Sequence, residues 1–343
     1  MSQKANIIIV NWNGKKYLKD CLDAVFNQKY ENFEVILVDN GSEDDSVEFV
    51  IKNYPETKII KLKENTGYAR GNNYGIEEAL KDKNNSYIVL LNNDTIIDKN
   101  WLIELIKTAE SDEKIGMAGS KALFKDGKVQ TIGLSLEKNI HGYKEGGISI
   151  GYNEDGSRFN KEIEIFTPSG VSALYKREVI EKIGLFDENY FCYAEDLDLG
   201  IRARLVGYKC IYNPKSKLIH LHSKTAGFGS PFKAFYTKRN AYFIAFKYFT
   251  PYYLITFPFR DFYLNIGQIL KKDNYKSVKE FKKKEGILGF FKLSFKICYS
   301  VIINLPKMII KRYEIRKKYK INHKILKDYF NKFSSNNIEN ENN

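Results

Sequence analysis

The sequence predicts an α/β protein built on a doubly wound, mainly parallel sheet, and three observations carry that prediction. Short β-branched apolar runs alternate with amphipathic stretches between Ile7 and Ala109. The apolar runs give way to Asn, Asp or Gly, residues suited to the turn that follows a strand. The amphipathic stretches have the length of the crossover helices that parallel strands need.

Taken in order, Ile7 to Val10 reads as a strand and Tyr17 to Asn27 as a helix with Leu18, Leu22, Val25 and Phe26 on one face. Phe33 to Val38 is a second strand ending at Asp39, and Ser46 to Tyr54 is a helix. Lys58 to Leu62 gives a third strand, the Gly-rich run Asn65 to Asn73 a loop, and Asn73 to Lys81 a helix. Tyr87 to Leu91 is the central strand, stopping at Asn92-Asn93-Asp94, with a turn at Thr95 and a helix from Trp101 to Ala109. From Gly116 to about Phe166 the many glycines predict a less regular connection reaching over one face of the sheet. Order returns at Thr167 to Tyr175, followed by a helix Arg177 to Ile183, a loop Gly184 to Tyr193, a helix Asp196 to Val206, and strands near Lys209 to Tyr212 and Lys217 to Leu221. The expected units are 1–230, divided near 115, a basic aromatic-rich helical extension over 231–333, and a disordered tail over 334–343.

The 343 residues carry a net charge of +13. It is unevenly placed: 31 basic residues face 34 acidic ones up to Ser230, and 24 face 8 beyond it. A basic C-terminal third predicts a surface that meets anions, although a solvated Lys-rich face has the same composition. Cys21, Cys192, Cys210 and Cys298 show no metal or redox spacing, which fits a reducing compartment. The first residues lack a signal-peptide pattern, so a cytosolic protein is expected. No run is expected to reach the roughly 18 to 20 apolar residues of a membrane span. The longest candidate, Tyr248 to Phe259, contains Pro251 and Pro258. No nucleic-acid-binding motif accompanies the charge, so nucleic acid is not an expected partner.

Four polar clusters end or follow predicted strands: Asn11-Trp12-Asn13-Gly14, Asp39-Asn40-Gly41-Ser42, Asn65 to Asn73, and Asn92-Asn93-Asp94. In a parallel sheet they converge on the carboxyl edge, where such folds bind ligands. Asp39 can accept the imide N–H of uracil or thymine, while Gly67 and Gly71 allow close backbone approach. Asp94 with Asn92 offers oxygens to a divalent ion that also holds phosphate. A plain turn capping the next helix uses the same residues, and only convergence separates the two readings. Together the types present describe a nucleotide-sugar pocket whose donor-nucleotide residues are Asn11, Trp12, Asn13, Asp39, Asn65, Gly67, Arg70, Asn72 and Asn93. No GxxxxGK[ST] phosphate loop is present. Among Glu195, Asp196 and Asp198, Asp196 is best placed to face a pocket, with a helix cap as its other reading. Glu195, Asp198, Arg202 and His222 are expected in acceptor or supporting roles. His220 and His222 follow a strand, where a neutral imidazole can complete the coordination begun by Asp94.

With these motifs, the chain resembles glycosyltransferase family 2 enzymes of the GT-A fold, nearest the bacterial rhamnosyltransferase-like branch. The resemblance runs from about Ile7 to Asn240 through Ile-Val-Asn-Trp-Asn-Gly (9–14), Val-Asp-Asn-Gly-Ser (38–42), Asn65 to Asn73, Leu-Asn-Asn-Asp-Thr (91–95), Gly-Leu-Phe-Asp-Glu (184–188) and Ala-Glu-Asp-Leu-Asp-Leu (194–199). It implies a GT-A catalytic domain over 1–230, with a nucleotide-binding half 1–115 and an acceptor half 116–230. It makes Asp39 the base-recognising residue, Asn92 and Asp94 the metal-binding element with Mg2+ or Mn2+, His220 a further metal ligand, and Asp196 the general base. Asn92 departs from the family's usual Asp and removes one charge.

The implied reaction is inverting and metal-dependent, moving a sugar from a UDP- or dTDP-sugar, dTDP-rhamnose among the donors, to a glycan or lipid-linked acceptor of cell-surface polysaccharide. Non-processive transfer is expected: Trp12 and Trp101 are the only tryptophans, neither follows Arg, and Arg239-Asn240 matches the non-processive branch. A nucleotidyltransferase acting on sugar phosphates is the alternative. Amphipathic basic segments between Tyr242 and Ile310 predict peripheral attachment to an anionic membrane on its cytoplasmic side, and packing on the catalytic domain or in a homo-oligomer is the competing use of their apolar residues.

Overall fold

The structure, a computed structural model, describes residues 2–139, 142–221, 230–250, 252, 254, 276–321 and 323–333. His222, the tail 334–343 and most of the Tyr248 to Phe259 run lie outside the described residues. Two compact units emerge: Met1–Tyr143, Gly147–His222 and Tyr329–Asn343 form the first, Lys144–Gly146 and Ser223–Asp328 the second.

The first unit opens with β1 (Lys4–Asn11), α1 (Lys15–Phe26), β2 (Phe33–Asp39), α2 (Ser46–Asn53), β3 (Lys58–Lys61), α3 (Gly67–Lys81) and β4 (Asn85–Asn92). There follow β5 (Thr95–Ile97), α4 (Trp101–Glu110), β6 (Ile115–Leu123), β7 (Val129–Thr131), β8 (Leu134–Asn139), β9 (Gly142–Ser149) and β10 (Ile163–Ile165). β11 (Ser172–Lys176), α5 (Arg177–Ile183), a 3-10 turn (Glu188–Tyr190), α6 (Glu195–Leu205) and β12 (Lys209–His220) complete it.

The sheet runs β10-β12-β6-β11-β4-β1-β2-β3, with β5 on β12 and β7 on β6, while β8 and β9 pair separately. β3, β2, β1 and β4 are mutually parallel, as the crossover pattern predicts. Ile7, Ile8 and Ile9 are all fully buried, because a central parallel strand is covered on both faces. α1 packs Leu18, Cys21, Leu22 and Val25 into the same core, one stripe of a 3.6-residue period.

Three expectations are corrected. The irregular connection does not begin at Gly116: β6 is a buried strand inside the sheet, parallel to β12 and antiparallel to β11. Its glycines hide the strand pattern because neighbours take their space; a Cβ on Gly116 would lie 2.6 Å from Val179 Cγ2. The Gly-rich run is not a loop beyond Thr66, since α3 starts at Gly67. Gly71 and Gly75 lie one turn apart against the sheet, where a Cβ would meet Val10 at 2.9 Å and Ile8 at 2.4 Å. They bring helix to sheet rather than backbone to phosphate. The two C-terminal strands are one strand, β12, with a register shift between Asn213 and Lys217.

The described C-terminus also belongs to this unit. Arg204 of α6 stacks on Phe333, 4.5 Å from its ring centroid, Tyr329 Oη donates to Arg204 O at 3.1 Å, and Lys332 pairs with Glu164 at 2.7 Å.

In the second unit, α7 (Pro231–Tyr248) starts with Pro at its first turn and the Ser230 side chain as its cap. α8 (Lys276–Tyr319) is broken at Gly286, where φ is +65° and ψ −172°. It packs Ile297, Val301, Met308 and Ile315 inward, and Arg312 donates to the carbonyls of Phe246 and Phe249 at the end of α7. α9 (His323–Lys332) leads back to the first unit. Among the described residues, one helical segment, Lys283–Tyr319, is long and apolar enough to cross a membrane, contrary to expectation. Lys292 and Lys296 interrupt its apolar run in the sequence and conceal its length.

Candidate active site

Parallel register brings the ends of β1, β2 and β4 level: Asn11 pairs with Asp39, and Val10 with Asn92. Their side chains then bond laterally. Asn93 Nδ2 donates to Asn11 Oδ1 at 2.7 Å, and Asn11 Nδ2 lies 3.2 Å from Ser42 Oγ and 3.4 Å from Asp39 Oδ1. Ser42 N–H donates to the other Asp39 oxygen at 3.2 Å, and Asn13 N–H to Ser42 Oγ at 2.9 Å. Gly14 leaves room for this chain of bonds, since a Cβ there would sit 2.2 Å from Asn93 Nδ2.

Asp39 and Asn11 have no exposed surface, so Asp39 is sealed beneath Asn11 and Ser42. Trp12, by contrast, is 44% exposed beside them. Asn40, passed over by sequence reasoning as a binding residue, ties this edge to α3: its amide donates to Asn65 Oδ1 and Gly67 O, and its oxygen accepts from Thr66 N–H. Of the other expected donor residues, Asn65 accepts from Gly67 N–H, Asn72 is buried and donates to Tyr68 O within α3, and Arg70 pairs with Glu188 at 3.4 Å. Gly67, with φ +86°, is required by Phe191, whose carbonyl accepts from Ala69 N–H at 3.0 Å.

At the end of β4, His220 of β12 pairs across from Thr95, which seats its imidazole beside Asp94. His220 Nε2 lies 3.0 Å from Asp94 Oδ1 and 3.5 Å from the Asn92 amide, while Nδ1 lies 2.7 Å from Gln130 Oε1. The Gln130 carbonyl accepts, so Nδ1 carries the proton and Nε2 turns its lone pair toward the Asp94 carboxylate. Two acceptors facing each other need a cation between them, a proton or a metal ion. The 3.0 Å separation also matches two neighbouring ligands of an octahedral ion, each about 2.1 Å from the centre. Asn92 can turn its amide to offer oxygen. By donor type, Asn92, Asp94 and His220 would suit Mg2+ or Mn2+. Among the described residues no group of three or more His, Cys, Asp or Glu gathers that could hold a metal ion. Gln130 lies in the segment whose order the sequence did not reveal.

Asp196 lies in the first turn of α6, beside Gly170. One carboxylate oxygen accepts from Gly170 N–H at 3.0 Å and the other from Leu197 N–H at 2.8 Å. It does not cap α6, whose N-cap is Ala194 in the left-handed region. Phe191, Tyr193 and Ala194 all have positive φ, which concentrates backbone strain just before the acidic pair. Burial raises the pKa of Asp196, while the two backbone N–H donors oppose the rise. Glu195 is pushed well above the usual carboxylate range, first by burial and then by the Asp196 charge; its Oε2 has no hydrogen-bond partner. Tyr68 Oη donates to Gly170 O and closes the site's other side.

Asp198 and Arg202 bond to each other inside the protein. Asp198 is fully buried, accepts from Arg202 Nε at 3.0 Å and takes a 3.2 Å bond from Tyr190 Oη. Arg202 also donates to the carbonyls of Ile183, Gly184 and Leu185, fixing the loop after α5.

A mixed sheet with an Asn/Asp-rich carboxyl edge is the GT-A fold of glycosyltransferases. The chain belongs to glycosyl transferase family 2, whose family model matches residues 6–184. It is 28% identical over 232 residues to the O-antigen biosynthesis protein RfbC of Myxococcus xanthus, covering 64% of this chain and 17% of the relative. It is 27% identical over 227 residues to poly-beta-1,6-N-acetyl-D-glucosamine synthase of Staphylococcus aureus (strain COL), covering 64% of this chain and 50% of that enzyme. The match thus spans half or less of these curated relatives. Among solved structures, a mannosyltransferase from Pyrobaculum calidifontis in complex with GDP-Man and Mn2+ superposes with TM-score 0.54 at 14% identity, covering 96% of this chain and 88% of that one. GalNAc-T7 with UDP, GalNAc and Mn2+ gives TM-score 0.57 at 16% identity, covering 89% and 58%. These likenesses show the fold.

Proposed function

We propose that the chain is an inverting, metal-dependent glycosyltransferase that moves one sugar from a UDP- or dTDP-linked donor to a hydroxyl of a glycan or lipid-linked acceptor. One observation carries it. Gly170 N–H binds the Asp196 carboxylate, and the next residue, Val171, accepts Asn92 N–H at 3.0 Å, so two adjacent residues link the base to the end of β4. A base on one side and a cation-requiring cluster on the other are the parts that displacement at an anomeric carbon needs.

In this mechanism Asp196 accepts the proton of the acceptor hydroxyl as its oxygen attacks the anomeric carbon. The Gly170 and Leu197 N–H donors aim the carboxylate, and burial raises its basicity. Asp94 and His220, with Asn92, would hold Mg2+ or Mn2+, which when bound offsets the charge on the departing nucleoside diphosphate. Exposed Trp12 offers its ring to the base; Asp39 accepts the imide N–H once Asn11 and Ser42 part. dTDP-rhamnose is the donor favoured by the resemblance, and the names of the curated relatives support polysaccharide synthesis. Single addition rests on the missing Arg–Trp pair and on Arg239-Asn240, and no longer on the lack of a long apolar helix, since one is present. We also place the chain peripherally on the cytoplasmic face of the membrane, from the basic C-terminal third.

Incubation with UDP-, dTDP- and GDP-sugars, an acceptor extract and Mn2+ should release nucleoside diphosphate from one of the first two, and chelation should stop it. Release of pyrophosphate from nucleoside triphosphate and sugar phosphate would assign a nucleotidyltransferase instead.

A further inference from the structure

We infer that α8 lies along an anionic bilayer surface rather than crossing it, immersing one defined stripe of side chains. This rests on the membrane attachment proposed above and names the face that makes it. Beyond the Gly286 break the helix carries two apolar rows. Ile297, Val301, Met308 and Ile315, spaced four and seven apart, are buried and pack inward. Phe291, Phe295, Ile302, Ile309 and Tyr313 repeat with the same spacing on another face and are 56–74% exposed. At about 100° per residue, Lys292 and Lys296 fall roughly 80–120° around the helix from that stripe, and Lys307 and Lys311 lie farther round.

Length and composition alone would let this segment span a membrane. The rows say otherwise. A spanning helix would carry Lys292 and Lys296 into hydrocarbon, where charged side chains are strongly disfavoured. It would also have to bring into lipid the face already packed on α7, whose end is bound by Arg312. A helix lying in the interface keeps that packing, sinks the aromatic and Ile stripe, and leaves Lys292 and Lys296 at the level of anionic headgroups.

Cys298 reports on the stripe without mutation: it is exposed, and it lies three residues after Phe295 and four before Ile302. Cys192 in the first unit is the internal reference. The full chain is treated with a charged, membrane-impermeant maleimide, with and without phosphatidylglycerol-containing vesicles, and modification is mapped by peptide. Vesicles should slow labelling of Cys298 about tenfold or more and leave Cys192 unchanged. An impermeant amine reagent should reach both Lys283 and Lys318 on vesicle-bound protein. Phe295→Glu should reduce co-sedimentation about tenfold at unchanged thermal stability.

Co-sedimentation with Cys298 still fully reactive, or with one of Lys283 and Lys318 shielded, overturns the lying-helix assignment and leaves the attachment standing. Failure to co-sediment with anionic vesicles removes both. Protection of Cys298 by raising protein concentration alone overturns the lipid assignment in favour of a second copy.

Discussion

The donor edge and the base side of this site are built differently. At the donor edge, Asn11, Asp39, Asn40, Ser42 and Asn93 satisfy one another, and the register of parallel strands sets their spacing. On the base side, three positive-φ residues precede the buried Glu195 and the half-buried Asp196, and one Glu195 oxygen has no partner. Amide and hydroxyl bonds hold the donor-edge side chains in place. Backbone strain and burial gather on the side that holds Asp196. In the proposed function the first holds the donor and the second takes the proton of the acceptor.

The sharpest way to break this contrast is to remove charge on the base side only. Asp196→Asn should lower kcat by about 10²–10⁴ while donor affinity, measured by calorimetry, stays within about twofold. Equal losses in both would show that the two sides are one binding surface. Next in size is the Arg202 support. Arg202→Ala strands the buried Asp198 carboxylate and frees three carbonyls, so unfolding stability should fall by about 3–5 kcal/mol in denaturant titration.

On the donor edge, Asn93→Ala should cost about 1–2 kcal/mol of stability, and raise the donor KM more than it lowers kcat. A kcat loss like that of Asp196→Asn would move Asn93 into the chemistry. Smallest, and opposite in sign, is Glu195→Gln. Glu195 holds its proton more tightly folded than unfolded, so stability falls as pH rises from the unfolded value near 4.5 toward its raised folded value. The Gln variant lacks that slope and should melt at or above the wild-type temperature at neutral pH. Melting below wild type would mean that Glu195 is ionised and paired.

Much of this was legible in the sequence because parallel strands convert sequence into position directly. Runs such as Ile7 to Val10 and Tyr87 to Leu91 mark strands by β-branching, and their ends must share an edge, so Asn11, Asp39 and Asp94 could be gathered without coordinates. The acidic run 195–198 was legible as a set, and helical spacing separated Asp196 from Asp198. What escaped was whatever depends on close packing. Gly71 looks like part of a flexible loop until the sheet against it is seen, and Gly116 and Gly119 dilute a central strand for the same reason. Gln130 and Tyr68 reach the site through contacts far apart in sequence, which no local period encodes. The α8 segment escaped differently: its lysines break the apolar run along the sequence but fall away from the exposed apolar stripe of the helix.

The central claim, that Asp196 acts as base together with a metal-dependent donor edge, is tested most directly by one paired measurement. Acceptor-dependent release of nucleoside diphosphate is followed for wild type and Asp196→Asn with Mn2+ and after chelation, with donor affinity read on the same samples. The account predicts release only from the wild type with metal, and equal donor binding by both proteins with metal. Turnover by Asp196→Asn near the wild-type rate, or undiminished wild-type release after chelation, would contradict it.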